Sequence, residues 1–267
     1  MENFADFAKT YGTLIIAIYG VVQLWIVSLY KSVIRQAKVT NIKASKLELG
    51  YSDFGPTMAI AGTLIVESRP VIVAGMSVKI TRNRDGMSHT FLWNAFRNPE
   101  LLIVGKKEPK IEIAYAFMLQ EGTPHRYNIF FTDFSTQAGM VSQIQAHRVE
   151  WQKYRHDNEQ FIKQQTTVEG LSEDGALGLL SDKFDKDSKT KIDLWDITNR
   201  NCYWEPGEYD AVMEIFAINK KVIWKESFRF IIAESDFKAL QLNCVVIQQN
   251  IRIGNAQFNF AYVEYLV

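Results

Sequence analysis

Residues Thr10 to Tyr30 carry no charged side chain, and Lys31, Arg35, Lys38, Lys43 and Lys46 follow at once. Tyr11 and Tyr30 bracket a run at about 1.5 Å per residue that is roughly 28 Å long, close to the ~30 Å hydrocarbon layer of a bilayer. The sequence therefore predicts one N-terminal transmembrane helix, of the signal-anchor kind, over 11–31. Tyr11, Trp25 and Tyr30 carry rings suited to a membrane interface, and Gly20 with Gln23 forms a small, partly polar face. A cleaved signal peptide is the rival, but the run lacks a basic n-region and a small-x-small end. The basic neck, residues 32–46 with Lys31 just before it, reads through Lys31, Arg35 and Lys38 as a positive-inside signal. The expectation is a single-pass membrane protein with a short extracytoplasmic tail, 1–10, and a cytoplasmic bulk.

Beyond residue 46 the period of the pattern shortens. Thr57–Val66, Val71–Ile80, Lys110–Phe117 and Arg126–Phe131 read as strands, separated by turn signals such as Ser68-Arg69-Pro70 and Gly122-Thr123-Pro124. Asn83-Arg84-Asp85-Gly86 between two such runs is a hairpin signal. Strand patterns return at Lys191–Ile197, Asp210–Ile218, Val222–Ala233, Leu240–Ile253 and Gln257–Val267. The Pro206-Gly207-Glu208-Tyr209 entry resembles that of many immunoglobulin-like sandwiches, and the early Gly62-Thr63-Leu64 run with its hairpins suits an arrestin-like one. The fold class expected is thus mainly β: an antiparallel β-sandwich, with a first β half over 47–136 and a second over 191–267. One continuous sandwich is favoured over two β-domains, because each half alone offers few strands.

Residues 137–190 interrupt the strands. Met140, Ile144, His147, Trp151, Tyr154, Asn158 and Phe161 are spaced 4-3-4-3-4-3, the seam of an inserted amphipathic helix. Ile144, His147, Trp151, Tyr154 and Phe161 are candidates for docking a protein partner, against the alternative that they pack on their own sheet. The charged stretch after Leu171 reads as a mobile loop. Asp182, Asp185, Asp187 and Asp193 fall short of a calcium loop, because Phe184 breaks the alternation.

Thirty Lys plus Arg balance thirty Asp plus Glu, so no overall basic field argues for nucleic acid. No phosphate-cradling glycine loop or nucleophile elbow occurs. Two isolated cysteines, Cys202 and Cys244, make neither a disulfide framework nor a zinc site. The sequence singles out no catalytic residue, metal site or cofactor. It predicts a membrane-anchored scaffold that presents an interaction surface, with membrane lipid, other membrane proteins or a second copy of the span as partners. The alternatives are a membrane-tethered, hydrolase-like enzyme with a site outside known motifs, and a subunit of an oligomeric membrane complex or pore.

Overall fold

The computed structural model describes residues 2–30, 37–98, 110–254 and 257–266. Its strands are β1 (Lys38–Lys43), β2 (Lys46–Ser52), β3 (Gly55–Glu67), β4 (Val71–Arg82), β5 (Ser88–Asn98), β6 (Lys110–Ile113), β7 (Phe117–Leu119), β8 (His125–Thr132), β9 (Gly207–Ala217), β10 (Val222–Ile232) and β11 (Phe260–Leu266). The helices are α1 (Glu2–Leu29), α2 (Phe134–Asp157), α3 (Glu159–Thr167), α4 (Glu173–Asp187), α5 (Lys191–Asn201) and α6 (Glu234–Arg252).

Strands β5-β8-β3-β2-β11-β10-β9-β4 lie in that order, and β4 pairs back onto β5 through Ser77↔Leu92 to Thr81↔Ser88. That pairing closes an eight-stranded antiparallel barrel and corrects the expected immunoglobulin-like or arrestin-like sandwich. A sandwich leaves two sheets with free edges, whereas closure removes the edges of the ring. The alternating apolar positions do point to one core, as either architecture requires. Leu47, Leu49, Ile60, Leu64, Val78, Ile80, Phe91, Ile129, Met213 and Phe230 are buried in it. Their side chains fill the interior as a packed core, as expected of a barrel this narrow.

The two ends of the barrel are built differently. At one end lie the β2–β3 turn, the Asn83–Gly86 hairpin turn and the connections into and out of the helices. There α2, α5 and α6 cap the barrel. Tyr51 Oη donates to Thr198 O at 2.5 Å, and Trp204 Nε1 donates to Gly50 O at 2.7 Å. At the opposite end lie the Ser68-Arg69-Pro70 and Asn219-Lys220-Lys221 turns and the start of β1. β1 continues β2 around a break at Ala44 and Ser45, and both pair with β3.

Three helical segments replace expected strands or loops. The charged stretch read as mobile is α4, whose Ser172 cap accepts from Gly175 N at 3.1 Å. Leu177, Leu180 and Phe184 of α4 pack on Trp151 of α2 as a second apolar cluster. Lys191–Ile197 belongs to α5, and most of Leu240–Ile253 to α6. Lys31 and Arg35 of the neck lie outside the described residues. Lys38 lies in β1, so the neck gives way to strand structure there.

The expected transmembrane span is overturned: among the described residues, no helix is long and apolar enough to cross a membrane. Glu2, Asp6 and Lys9 belong to the same helix as the apolar run. The single-pass topology, the signal-anchor role and the outside-to-inside orientation fall with the span. Gln23 finds its partner within the helix, donating from Nε2 to Tyr19 Oη at 3.0 Å. Tyr11, Trp25 and Tyr30 are exposed and Gly20 has open space around it.

A candidate recognition groove at the open end of the barrel

The seam residues of the inserted helix face inwards. Ile144, His147 and Trp151 are buried, and Tyr154 and Phe161 pack partly buried beside the α4 cluster. His147 sits in a closed polar network. Its Nε2 accepts from Arg252 at 3.1 Å, and its Nδ1 lies 2.7 Å from Thr190 Oγ1. Thr190 Oγ1 in turn donates to Glu150 at 2.5 Å. Arg252 also reaches Ser181 Oγ at 3.1 Å and Asp185 at 2.5 Å, and its carbonyl accepts from Trp151 Nε1 at 3.0 Å.

Burial, and then the adjacent Arg252 guanidinium, push the His147 imidazole down to about 4. The neutral ring can then accept from Arg252, while Nδ1–H donates to Thr190. Burial works to raise Glu150, but hydrogen bonds from Thr190, Lys189 and Ser188 outweigh it and hold the carboxyl at about 2. The side chains of His147, Glu150, Thr190 and Arg252 all have partners within the chain, while Asp185 Oδ1 meets only the Arg252 guanidinium. The network ties α2, α4, α6 and the start of α5 together.

A second cluster lies beside the hairpin turn on the same capped end. Arg82, almost fully buried, pairs with Asp85 at 2.6 Å and Glu205 at 2.8 Å. Asp133 caps α2, accepting from Ser135 N at 3.0 Å, and sits 2.6 Å from His89 Nδ1. Burial opposes ionisation of Asp133, yet His89, Ser135 and Thr136 hold its carboxyl below the usual range. Cys202 and Cys244 are buried free thiols. The Cys244 side chain, with burial second, pushes the Cys202 thiol up, away from a reactive thiolate. Among the described residues no group of three or more His, Cys, Asp or Glu is placed to hold a metal ion.

The opposite end is unfinished by comparison. β11 pairs with β10 only at Arg229 and Phe230, so the Val222–Phe228 half of β10 faces β1 with no strand between them. Side chains bridge this seam. Lys43 Nζ lies 2.6 Å from Glu226, and within 4.6 Å and 4.7 Å of the Phe228 and Tyr265 ring centres. Tyr127 Oη donates to Asn41 Oδ1 at 2.8 Å. Gly62 makes that reach feasible, since a Cβ there would stand 2.8 Å from Tyr127 Oη and 2.7 Å from Ile42 O. Asn41 Nδ2 and Tyr265 Oη remain buried without a partner. Burial pushes the Tyr265 phenol up, with Tyr127 and Glu226 adding to it.

Beside this seam lies a cavity of about 820 Å³. Ile42 of β1 and Ala44 just after it form one wall, and Phe96, Glu112 and Tyr115 form the other. Between them Ala61, Thr63, Arg126 and Asn128 line the floor on β3 and β8. Tyr115 stands edge-on to Phe96 at 5.5 Å, and Phe117 stacks on His125 at 4.4 Å. Arg97 donates twice to Glu48, at 2.9 and 2.8 Å, and lies over the Phe130 ring at 4.3 Å. Its Nε is buried without an acceptor. Arg126 is exposed and forms no hydrogen bond or ion pair among the described residues. The volume is that of a binding site, and the lining mixes aromatic surface with a few polar groups, as binding sites do. None of these groove residues stands out in the sequence, because they come from six strands and the segments between them.

No protein-family model matches the chain. No curated protein matches it either. Among solved structures, the sporulation control protein Spo0M from Bacillus subtilis aligns with 78% of this chain and 55% of its own, at 10% identity and a TM-score of 0.27. The chain thus spans about half the length of that structure.

Proposed function

We propose that the chain is an interaction module, in which a rigid barrel holds a recognition groove at its open end. The observation that carries this reading is the exposed Arg126 side chain on the concave lining of a cavity of about 820 Å³. At the capped end Arg82, Asp133, His147 and Arg252 are bonded within the chain. In the groove, the Arg126 side chain is exposed and has no partner among the described residues. Groups that the fold leaves unsatisfied on a concave surface are available to a partner. α1 supports the same reading, since its described apolar side chains from Ile16 to Leu29 stay exposed and offer a second association surface.

Photo-cross-linking in the native cell tests the reading. A photoreactive residue at Asn128, in the groove floor, should give a discrete cross-linked product. The same residue at Lys153, on the exposed face of α2, should not. Equal products from both positions, or none from either, would refute a recognition role for the groove.

A further inference from the structure

The charge and dimensions of the groove identify the chemistry of its occupant, given that the groove is the recognition site proposed above. Its lining holds three cationic residues, Lys43, Arg97 and Arg126, against one acid, Glu112. Glu226 neutralises Lys43 and Glu48 neutralises Arg97, both from outside the lining. Glu112 is engaged elsewhere in the chain, and Arg126 makes no ion pair among the described residues; it stands on a floor of small residues, where a long side chain from a partner meets no obstruction from Ala61 or Thr63.

The groove runs across strands β1, β3, β8, β5 and β6, which are neighbours in that order. At about 4.8 Å between strands it is about 19 Å long, the reach of five or six extended residues. Tyr115, more than half exposed, and Ile42, equally exposed, stand on opposite walls. They are apolar surfaces on which a ring can lie.

We propose that the groove binds an extended, acidic peptide segment of a partner protein, with a carboxylate on Arg126 and a neighbouring aromatic side chain against Tyr115. A carboxylate fits the planar guanidinium through two parallel hydrogen bonds, which an ammonium could not provide. Aromatic side chains supply most of the anchoring surface in interfaces of this kind.

The test is fluorescence anisotropy of the full chain with fluorescein-labelled peptides of alternating Glu and Tyr, Gln and Tyr, or Lys and Tyr. The Glu-Tyr peptide should bind saturably, and rising salt should weaken it. Arg126→Glu should weaken it by about tenfold or more, a loss of about 1.4 kcal/mol, and should strengthen binding of the Lys-Tyr peptide. Tyr115→Ala should weaken both Tyr-containing acidic and neutral peptides by a similar factor. Both residues are exposed, so an unchanged melting temperature will show that the variants are folded. Failure of the Glu-Tyr peptide to bind, or equal binding to wild type and Arg126→Glu, overturns the proposal. If that happens while the Asn128 cross-link persists, the acidic chemistry is wrong and the groove still recognises a partner. If the cross-link fails too, the underlying reading falls with it.

Discussion

The two ends of one barrel solve the same problem in opposite ways. The strands of a barrel leave both mouths open, and each mouth exposes ring-facing polar groups and the last layer of the core. At one mouth three helices supply a lid, so Trp204, Tyr203 and Tyr209 stack into the core and Arg82 is enclosed by acids. At the other, β1 reaches part of the way across and a single pair, Lys43–Glu226, spans the remaining seam. The capped end is specialised for stability. The open end leaves Asn41 Nδ2 and Tyr265 Oη without partners, as the helical layer leaves Gln248 Nε2, and beside the open end sits the groove with its exposed Arg126.

This contrast makes ordered predictions. The largest effect on stability belongs to Arg252→Ala in the helical layer. It strips the partner from buried His147 and Ser181 and from Asp185, and should cost about 3 to 5 kcal/mol in chemical denaturation. A loss under about 1 kcal/mol would show that the network is dispensable.

Next is the pH response of His147. Its folded pKa of about 4 lies below an unfolded value near 6.5, so between these the unfolded chain binds a proton that the folded chain refuses. Stability from this group is therefore complete above about pH 6.5 and is lost as pH falls towards 4. At about 1.36 kcal/mol per unit, the loss is on the order of 3 kcal/mol. Glu150 is depressed instead, so its contribution is lost only below its usual range, towards pH 2. His147→Gln should flatten the slope of unfolding free energy between pH 6.5 and 4, whatever its effect at neutral pH. An unchanged slope would assign the acid sensitivity elsewhere.

At the open end, Glu226→Gln leaves Lys43 between two rings without its carboxylate. A partly exposed pair is worth little, so the expected cost is about 1 kcal/mol. A cost as large as that of Arg252→Ala would erase the difference between the two ends. The smallest effect is expected of Arg126→Glu, within about 0.5 kcal/mol of wild type, because nothing in the fold depends on that side chain. Should it unfold the chain, Arg126 is structural and the groove loses its functional argument.

The strands of the barrel were largely legible from alternation and turn chemistry. β3, β4, β8, β9 and β10 fall where Thr57–Val66, Val71–Ile80, Arg126–Phe131, Asp210–Ile218 and Val222–Ala233 place them. Closure was not legible, because it rests on β4 pairing with both β5 and β9, and the second pairing joins residues more than a hundred positions apart. α6 was misread as a strand because Val245, Val246 and Ile247 favour extended structure locally. Its buried Leu240, Asn243, Cys244 and Ile247 follow a helical spacing that packing rewards. α4 was hidden by Gly175, Gly178 and its run of charges, though Leu177, Leu180 and Phe184 carry the helical period.

The inserted helix shows both limits. Met140, Ile144, His147 and Trp151 do form a buried stripe, but Asn158 ends α2 by donating to Tyr154 O at 2.9 Å and starts α3 on a new axis. The stripe packs within the chain, Met140 and Ile144 in the main core and Trp151 on α4. The groove left almost no trace in sequence, since Ile42, Tyr115 and Arg126 come together only through the strand order. The apolar run of α1 stood out most strongly, yet among the described residues no helix is long and apolar enough to cross a membrane.

Hydrogen exchange read by mass spectrometry, with and without the Glu-Tyr peptide, tests the division of the barrel most directly. Opening to exchange reports local stability, so the β1 amides at 38–43 should exchange faster than those of β2 before peptide is added. The peptide should slow exchange at 42–44, 61–63 and 126–128, and leave 144–151 and 240–252 unchanged. Protection confined to the helical layer, or spread evenly over both ends, would contradict the assignment of recognition to the open end.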